Sequence, residues 1–131
     1  MTHSATKIWF DGGARPNPGP IEVAAVVRGT TTIIGGLASG SNTQAEWLAL
    51  LHALEVAAGL GVRDVVLLGD ALTVVRQAGG AQKCRGAEAQ GFLAQFQVKA
   101  AGFDRVRVRH VGRSHNLAGI ALERRKSGLD G

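Results

Sequence analysis

Cysteine is almost missing from this chain. Cys84 is the only one in 131 residues, so no disulfide can close within the chain. It sits between Lys83 and Arg85 in a polar stretch, where it reads as a bystander thiol rather than a nucleophile. No apolar run approaches the roughly 20 residues that span a bilayer, and the start, MTHSATK, lacks a charged-then-apolar signal pattern. These absences point to a cytoplasmic protein with no membrane partner, and no obligate protein partner is evident. Aromatic residues make up only 5%. Trp9, Trp47, Phe92, Phe96 and Phe103 read as core rather than as base-stacking platforms. No repeat, low-complexity block or linker interrupts the chain, so residues 1–131 are expected to form a single domain.

What is present is an ordinary globular composition, 45% apolar and 19% charged, with a surplus of base. The net charge is +5. Eight of the fifteen Lys and Arg residues fall between Lys99 and Lys126. A basic, asymmetric domain suits a polyanion such as nucleic acid. The plain alternative is a solvated basic face kept for solubility.

KIWF reads as an apolar strand ending at Asp11, and DGGARPNPGP, which holds all three prolines, as a turn or loop. IEVAAVV and TTTIIGGLA read as two strands of an antiparallel hairpin turning at Gly29. NTQAEWLALLHALEVAAGLG is the strongest helix, capped by Ser41 or Asn42 and ended by Gly59 and Gly61. DVVLLG suits a buried central strand. A short helix, ALTVVRQAG, follows with Asp70 as its candidate cap. GAEAQGFLAQFQVKAAG forms another, weakened by Gly91. RVRVRH alternates, placing its arginines on one face of a half-buried strand, and LAGIALERRKS closes the chain as a helix. Three strands, a helix, a strand, two helices, a strand and a helix imply an α/β mixed sheet flanked by helices.

Three carboxylates stand in unusual places. Asp11 and Asp70 each end an apolar strand. Glu46 shares its helical stripe with Ala49, Leu50, Ala53 and Ala57, while His52 and Glu55 fall on the far side. A buried carboxylate is costly unless paired or bound to a cation. Each has a modest explanation: a turn aspartate, a glutamate at the burial edge, a helix cap. Together they can converge on one point, and clustered oxygen ligands suit hard cations. Two such ions about 4 Å apart can clamp the attacking and leaving oxygens of a phosphodiester.

WFDGGARPNPGP, NTQAEWLALLHAL, LLGDALTVVRQ and VGRSHNLAG, in that order and spacing, resemble the type 1 ribonuclease H family, from about Lys7 to Arg125. The resemblance implies a ribonuclease H-like fold: a five-stranded mixed sheet with its first three strands antiparallel. It implies cleavage of the RNA strand of RNA–DNA hybrids with two Mg²⁺ or Mn²⁺ ions. Asp11, Glu46 and Asp70 match three of the family's four catalytic, metal-holding carboxylates. Asn17 and Ser41 fall where members hold a phosphate of the DNA strand, and Asn42 where a side chain reads ribose hydroxyls. Gly12 and Gly13 would let the backbone approach nucleic acid closely.

The chain departs from the pattern in places. Ala71 replaces a common serine, and Ile21 and Glu22 stand where a glycine usually follows. GGAQKCRGAEAQ is too short for the basic insertion of some members, so Lys83, Arg85 and the late-strand arginines become candidates for gripping substrate. HVGR keeps only Arg113 of a Trp-Val-Pro-Arg run. Arg113 either positions near the scissile phosphate or is a surface arginine. His110 and His115 match no family position clearly.

The final family motif is Asn-x-x-Ala-Asp. Aligned on Asn116, it puts Ile120 in the aspartate's place. Glu123 lies about one helical turn of 5.4 Å beyond Gly119 and either reaches back toward a metal or pairs with Arg124, Lys126 or water. With three ligands, the second ion is expected to be weakly held, and Mn²⁺ to be preferred over Mg²⁺. Ile120 can instead complete an apolar stripe with Leu117 and Ala121. Two functions compete: a hybrid-cleaving endoribonuclease of reduced activity, and a non-catalytic nucleic-acid-binding module on the same fold.

Overall fold

The computed structural model describes residues 5–126 and Gly128. Five strands, β1 (Thr6–Ala14), β2 (Gly19–Val27), β3 (Thr30–Gly40), β4 (Asp64–Gly69) and β5 (Arg105–His110), form one sheet in the order β3-β2-β1-β4-β5. β1–β2 and β2–β3 are antiparallel, whereas β1–β4 and β4–β5 are parallel. Four helices, α1 (Asn42–Gly59), α2 (Leu72–Ala78), α3 (Ala87–Ala100) and α4 (Leu117–Lys126), join or follow the strands, and a 3-10 turn (Arg113–His115) precedes α4. The element order is the expected one, and the fold is ribonuclease H-like.

The main core lies between the sheet and α1, α2 and α3. Ile8, Phe10, Val65 and Leu67 from the central strands meet Trp47, Leu50 and Leu54 of α1 there, all at most 1% exposed. Burying a large apolar side chain contributes about 1.5–3 kcal/mol, so these central strands are the firmest part of the frame. A smaller cluster on the opposite face sets Ala118 and Leu122 of α4 against Ala24 and Val26, with Trp9 and Ile33 at its edge. Most of the aromatic residues behave as core: Trp47 and Phe96 are buried, Phe92 and Phe103 pack partly into the same cluster, and Trp47 stacks on Phe92, while Trp9 is only half-buried.

Four local expectations change. β1 does not end at Asp11. It continues through Ala14, with Gly12 paired to Val23 and Gly13 to Glu22, because the ladder supplies backbone partners that a glycine pair leaves sterically open. The loop shrinks to residues 15–18. Asp70 does not cap α2; Ala71 occupies the cap and no side chain bonds there. His52 is not on an exposed side but buried, with burial pushing its imidazole below the ordinary value. Its helix is covered well beyond one stripe, for Leu51 and Leu54 are buried too. In α4 the buried residues are Ala118 and Leu122, whereas Leu117 and Ile120 are 43% and 40% exposed. Ile120 therefore completes no buried stripe.

Candidate functional site

β1 and β4 run side by side in parallel, and their last paired row is Trp9 with Leu68. Two residues further stand Asp11, within β1, and Asp70, just past the end of β4. The carboxyl ends of adjacent parallel strands, where the chain leaves in different directions, are where open α/β sheets place their ligands. Glu46 enters from the first turns of α1. That helix sits close because Gly12 has no side chain: a methyl there would overlap the Ala45 carbonyl. The Gly12 N–H donates to Glu46 Oε1 at 2.7 Å, which fixes the glutamate over the end of the sheet. One carboxylate oxygen from each of Asp11, Glu46 and Asp70 lies within 4.8 Å of the others.

Three acids this close cannot all ionise cheaply. Burial, with the negative charge of Asp11 beside it, pushes Glu46 up to about 9. Burial also raises Asp11, to about 6, with Asp70 adding to the rise and Arg113 opposing it. Glu46 therefore holds the proton and shares it with Asp11. A divalent cation would take over that work, since it neutralises the cluster and accepts oxygen ligands.

Asn116 ties the site together, and the sequence offered it only as a motif position. Its side chain is completely buried. Nδ2 donates to the Phe10 carbonyl and to Asp70 Oδ2, both at 3.0 Å. Oδ1 accepts from the N–H groups of Ala118 (3.1 Å) and Gly119 (3.4 Å), satisfying orphan donors at the start of α4. One amide thus joins β1, Asp70 and α4. The legible signal was an asparagine immediately before a helix.

The residues expected to touch nucleic acid form a second network. Asn17 Oδ1 accepts from the Asn42 N–H at 3.0 Å, and Asn42 Oδ1 accepts from the Ala14 N–H at 2.9 Å. Ser41 caps α1, its hydroxyl accepting from Gln44 N–H while Gln44 Oε1 accepts from Ser41 N–H. Gly13, Asn42 and Arg113 line a cleft of about 240 Å³ that also reaches the three acids. Arg113 lines in addition a wider cleft of about 690 Å³ with Asp11, Asp70, Ser114, Gly119, Ile120, Glu123 and Arg124.

Ile120 is thus a wall of the larger cleft. Gly119 stands close to the acids: a Cβ there would lie 3.4 Å from Asp11 Oδ2 and 3.6 Å from Asp70 Oδ2. Glu123 lines both clefts, and its Oε1 pairs with Arg15 at 3.5 Å and Lys126 at 3.3 Å. His110 and His115 are exposed. Lys83 and Arg85 lie between α2 and α3.

Residues 10–124 match the family described as reverse transcriptase-like. Ribonuclease HI of Halobacterium salinarum is 37% identical over 119 residues, covering 87% of this chain and 60% of that protein. The bifunctional protein Rv2228c of Mycobacterium tuberculosis is 31% identical over 112 residues, 81% of this chain but 31% of that protein. The chain therefore spans less than two thirds of the length of either relative. Among solved structures, RNase H1 from Halobacterium salinarum superposes with a TM-score of 0.85 at 30% identity, over 95% of this chain and 99% of that one. LC11-RNase H1 in complex with an RNA/DNA hybrid shares the fold at 24% identity, with a TM-score of 0.81 over 89% of this chain and 92% of that one. The chain belongs to the reverse transcriptase-like family of ribonuclease H-like domains.

Proposed function

We propose that this domain is an endoribonuclease that hydrolyses the RNA strand of RNA–DNA hybrids with divalent metal, and that its second metal position is weak. The observation that carries the reading is the convergence of Asp11, Glu46 and Asp70 within 4.8 Å. A domain that only binds nucleic acid gains nothing from three acids gathered where a polyanion must lie. The name of the Halobacterium relative, ribonuclease HI, supports the same reading.

The donor set fits the metal. Three carboxylates are hard oxygen ligands of the kind Mg²⁺ and Mn²⁺ take, and the raised proton affinities of Asp11 and Glu46 mark an unmet need for positive charge. Such ions, when bound, activate water and neutralise charge on the phosphoryl oxygens. The chain's own groups do the rest. Asp11, Glu46 and Asp70 would hold the cations, and Asn116 fixes one oxygen of Asp70. Arg113, on the wall of both clefts, holds a phosphate beside the acids. Asn42 and the half-buried backbone at Gly12 and Gly13 face the RNA strand, and Asn17 and Ser41 the DNA strand.

Ile120, which takes the aspartate's place when the final motif is aligned on Asn116, stands on the cleft wall, and the weak second position is inferred from that alignment. Glu123 serves only by leaving Arg15 and Lys126. A purified sample incubated with labelled RNA–DNA hybrid in Mg²⁺ or Mn²⁺, beside an Asp70→Asn control, tests the proposal. Metal-dependent cleavage lost in the control is expected. No cleavage by the parent in either metal overturns it and favours a non-catalytic binding module.

A further inference from the structure

We infer that the face of the sheet opposite α1, α2 and α3, where it carries β5, is a binding surface for a single nucleic-acid strand. Arg105, Arg107 and Arg109 alternate along β5 with Val106 and Val108, so all three arginines point to one side. The register fixes which side. Val106 and Val108 pair with Val65 and Leu67, which are completely buried in the main core. The arginines pair with Asp64, Val66 and Leu68 and so face away from it. The rows extend into β1, where Lys7 lies beside Val66 and Trp9 beside Leu68. On this face α4 packs mainly on β1, β2 and β3. Lys7, Arg105 and Arg109 are exposed, and Trp9, Val66 and Arg107 are half-buried. Arg107 pairs with Asp64 at 3.4 Å, and its Nε is a buried donor with no partner among the described residues.

The arrangement selects the occupant. Same-face residues on a strand repeat every two residues, about 6.6 Å apart, close to the repeat of an extended nucleotide chain with its six backbone bonds. Guanidinium forks suit phosphate oxygens, and the half-buried Trp9 stands in the same row as Arg109. A basic groove with an aromatic neighbour is how sequence-tolerant single-strand sites are built. A single row of charges can track one strand that extends along it, whereas a duplex presents two backbones. Asp11 lies one same-face step beyond Trp9 on β1, so the row leads to the rim of the acidic cluster. A strand bound here is continuous with one end of whatever occupies the cleft, yet binding needs neither metal nor cleavage.

The test measures fluorescence anisotropy of a labelled single-stranded oligonucleotide across a salt series, in EDTA so that cleavage plays no part. Replacing Arg105, Arg107 and Arg109 together by Gln is expected to weaken binding at least tenfold at low salt. It should also flatten the salt slope by about 2, from roughly 0.7 per phosphate contact on a single strand. Because Arg107 is paired to Asp64, a double variant, Arg105→Gln with Arg109→Gln, leaves that pair intact and is expected to flatten the slope by about 1.4. Arg28→Gln with Arg76→Gln, both exposed and outside the sites described above, is the comparison pair, expected to leave single-strand affinity unchanged. An unaltered affinity and slope in the folded double variant overturns the proposal, as does a blunt duplex that competes for this face as tightly as the single strand.

Discussion

At the scale of single residues, Ile120 and Glu46 make opposite kinds of statement. Ile120 puts an apolar group on a cleft wall beside carboxylates, and Ile120→Asp is expected to raise the Mg²⁺-dependent rate on hybrid and to lower the Mg²⁺ needed for half-maximal rate. A metal titration of both proteins checks it; superimposable curves would mean that the fourth ligand comes from elsewhere. Glu46 is expensive without metal, because it must hold a proton at neutral pH. Glu46→Gln should therefore abolish cleavage while raising the melting temperature of the metal-free protein by a few degrees near pH 8, on the order of 1 kcal/mol. Glu123→Gln is expected to leave cleavage unchanged, since its carboxylate is engaged with Arg15 and Lys126; a lost rate would place Glu123 among the ligands.

At the scale of elements, the joint between β1, β4 and α4 decides how well the acids are aimed. Asn116→Ala removes four hydrogen-bond contacts at a completely buried position. It leaves the Phe10 carbonyl and the start of α4 short of partners, at a cost of roughly 1–3 kcal/mol. Urea unfolding measures that cost. Asn116→Asp keeps the cap on α4 but loses the donor to Asp70 and sets a charge against it. It should recover part of the stability without recovering metal affinity by calorimetry. Equal recovery of both would reduce Asn116 to a helix cap. The sequence announced these elements well. Their order, the helix at residues 42–59 and the buried strand at 64–69 follow from apolar periodicity and capping residues alone. The extension of β1 through Asp11–Ala14 was not legible, because Gly-Gly is a turn signal locally and becomes a strand only when β2 pairs with it.

At the scale of the whole molecule, the acidic cluster couples stability to pH and to metal. Asp11 and Glu46 are both raised above their ordinary values, to about 6 and about 9. Between about pH 4 and pH 9 the folded metal-free protein therefore binds more protons than the unfolded chain. Its stability from these groups is full at low pH and falls as pH rises through that window. His52, lowered by burial, works in the opposite direction, so the difference between the parent and Glu46→Gln isolates the cluster. Thermal melts in EDTA should converge for the two proteins at pH 5 and separate by pH 8.5, with the variant higher. Added Mg²⁺ should raise the parent's melting temperature more at pH 8.5 than at pH 5.5, because metal binding must displace the shared proton. A parent curve that climbs with pH in EDTA, parallel to the variant's, would show that the acids do not share a proton.

The sequence by itself determined the element order, the sheet's apolar core and the three acids worth watching, because hydrophobic period and carboxylates in apolar company are written locally. Only the tertiary structure decided that Asp11, Glu46 and Asp70 meet, that Asn116 holds Asp70, that Ile120 lines a cleft instead of a core, and that the β5 arginines face away from α1. Those facts depend on strand register and on how closely α1 and α4 approach the sheet, and both are set by contacts between residues distant in the chain, such as Gly12 with Ala45 and Asn116 with Phe10.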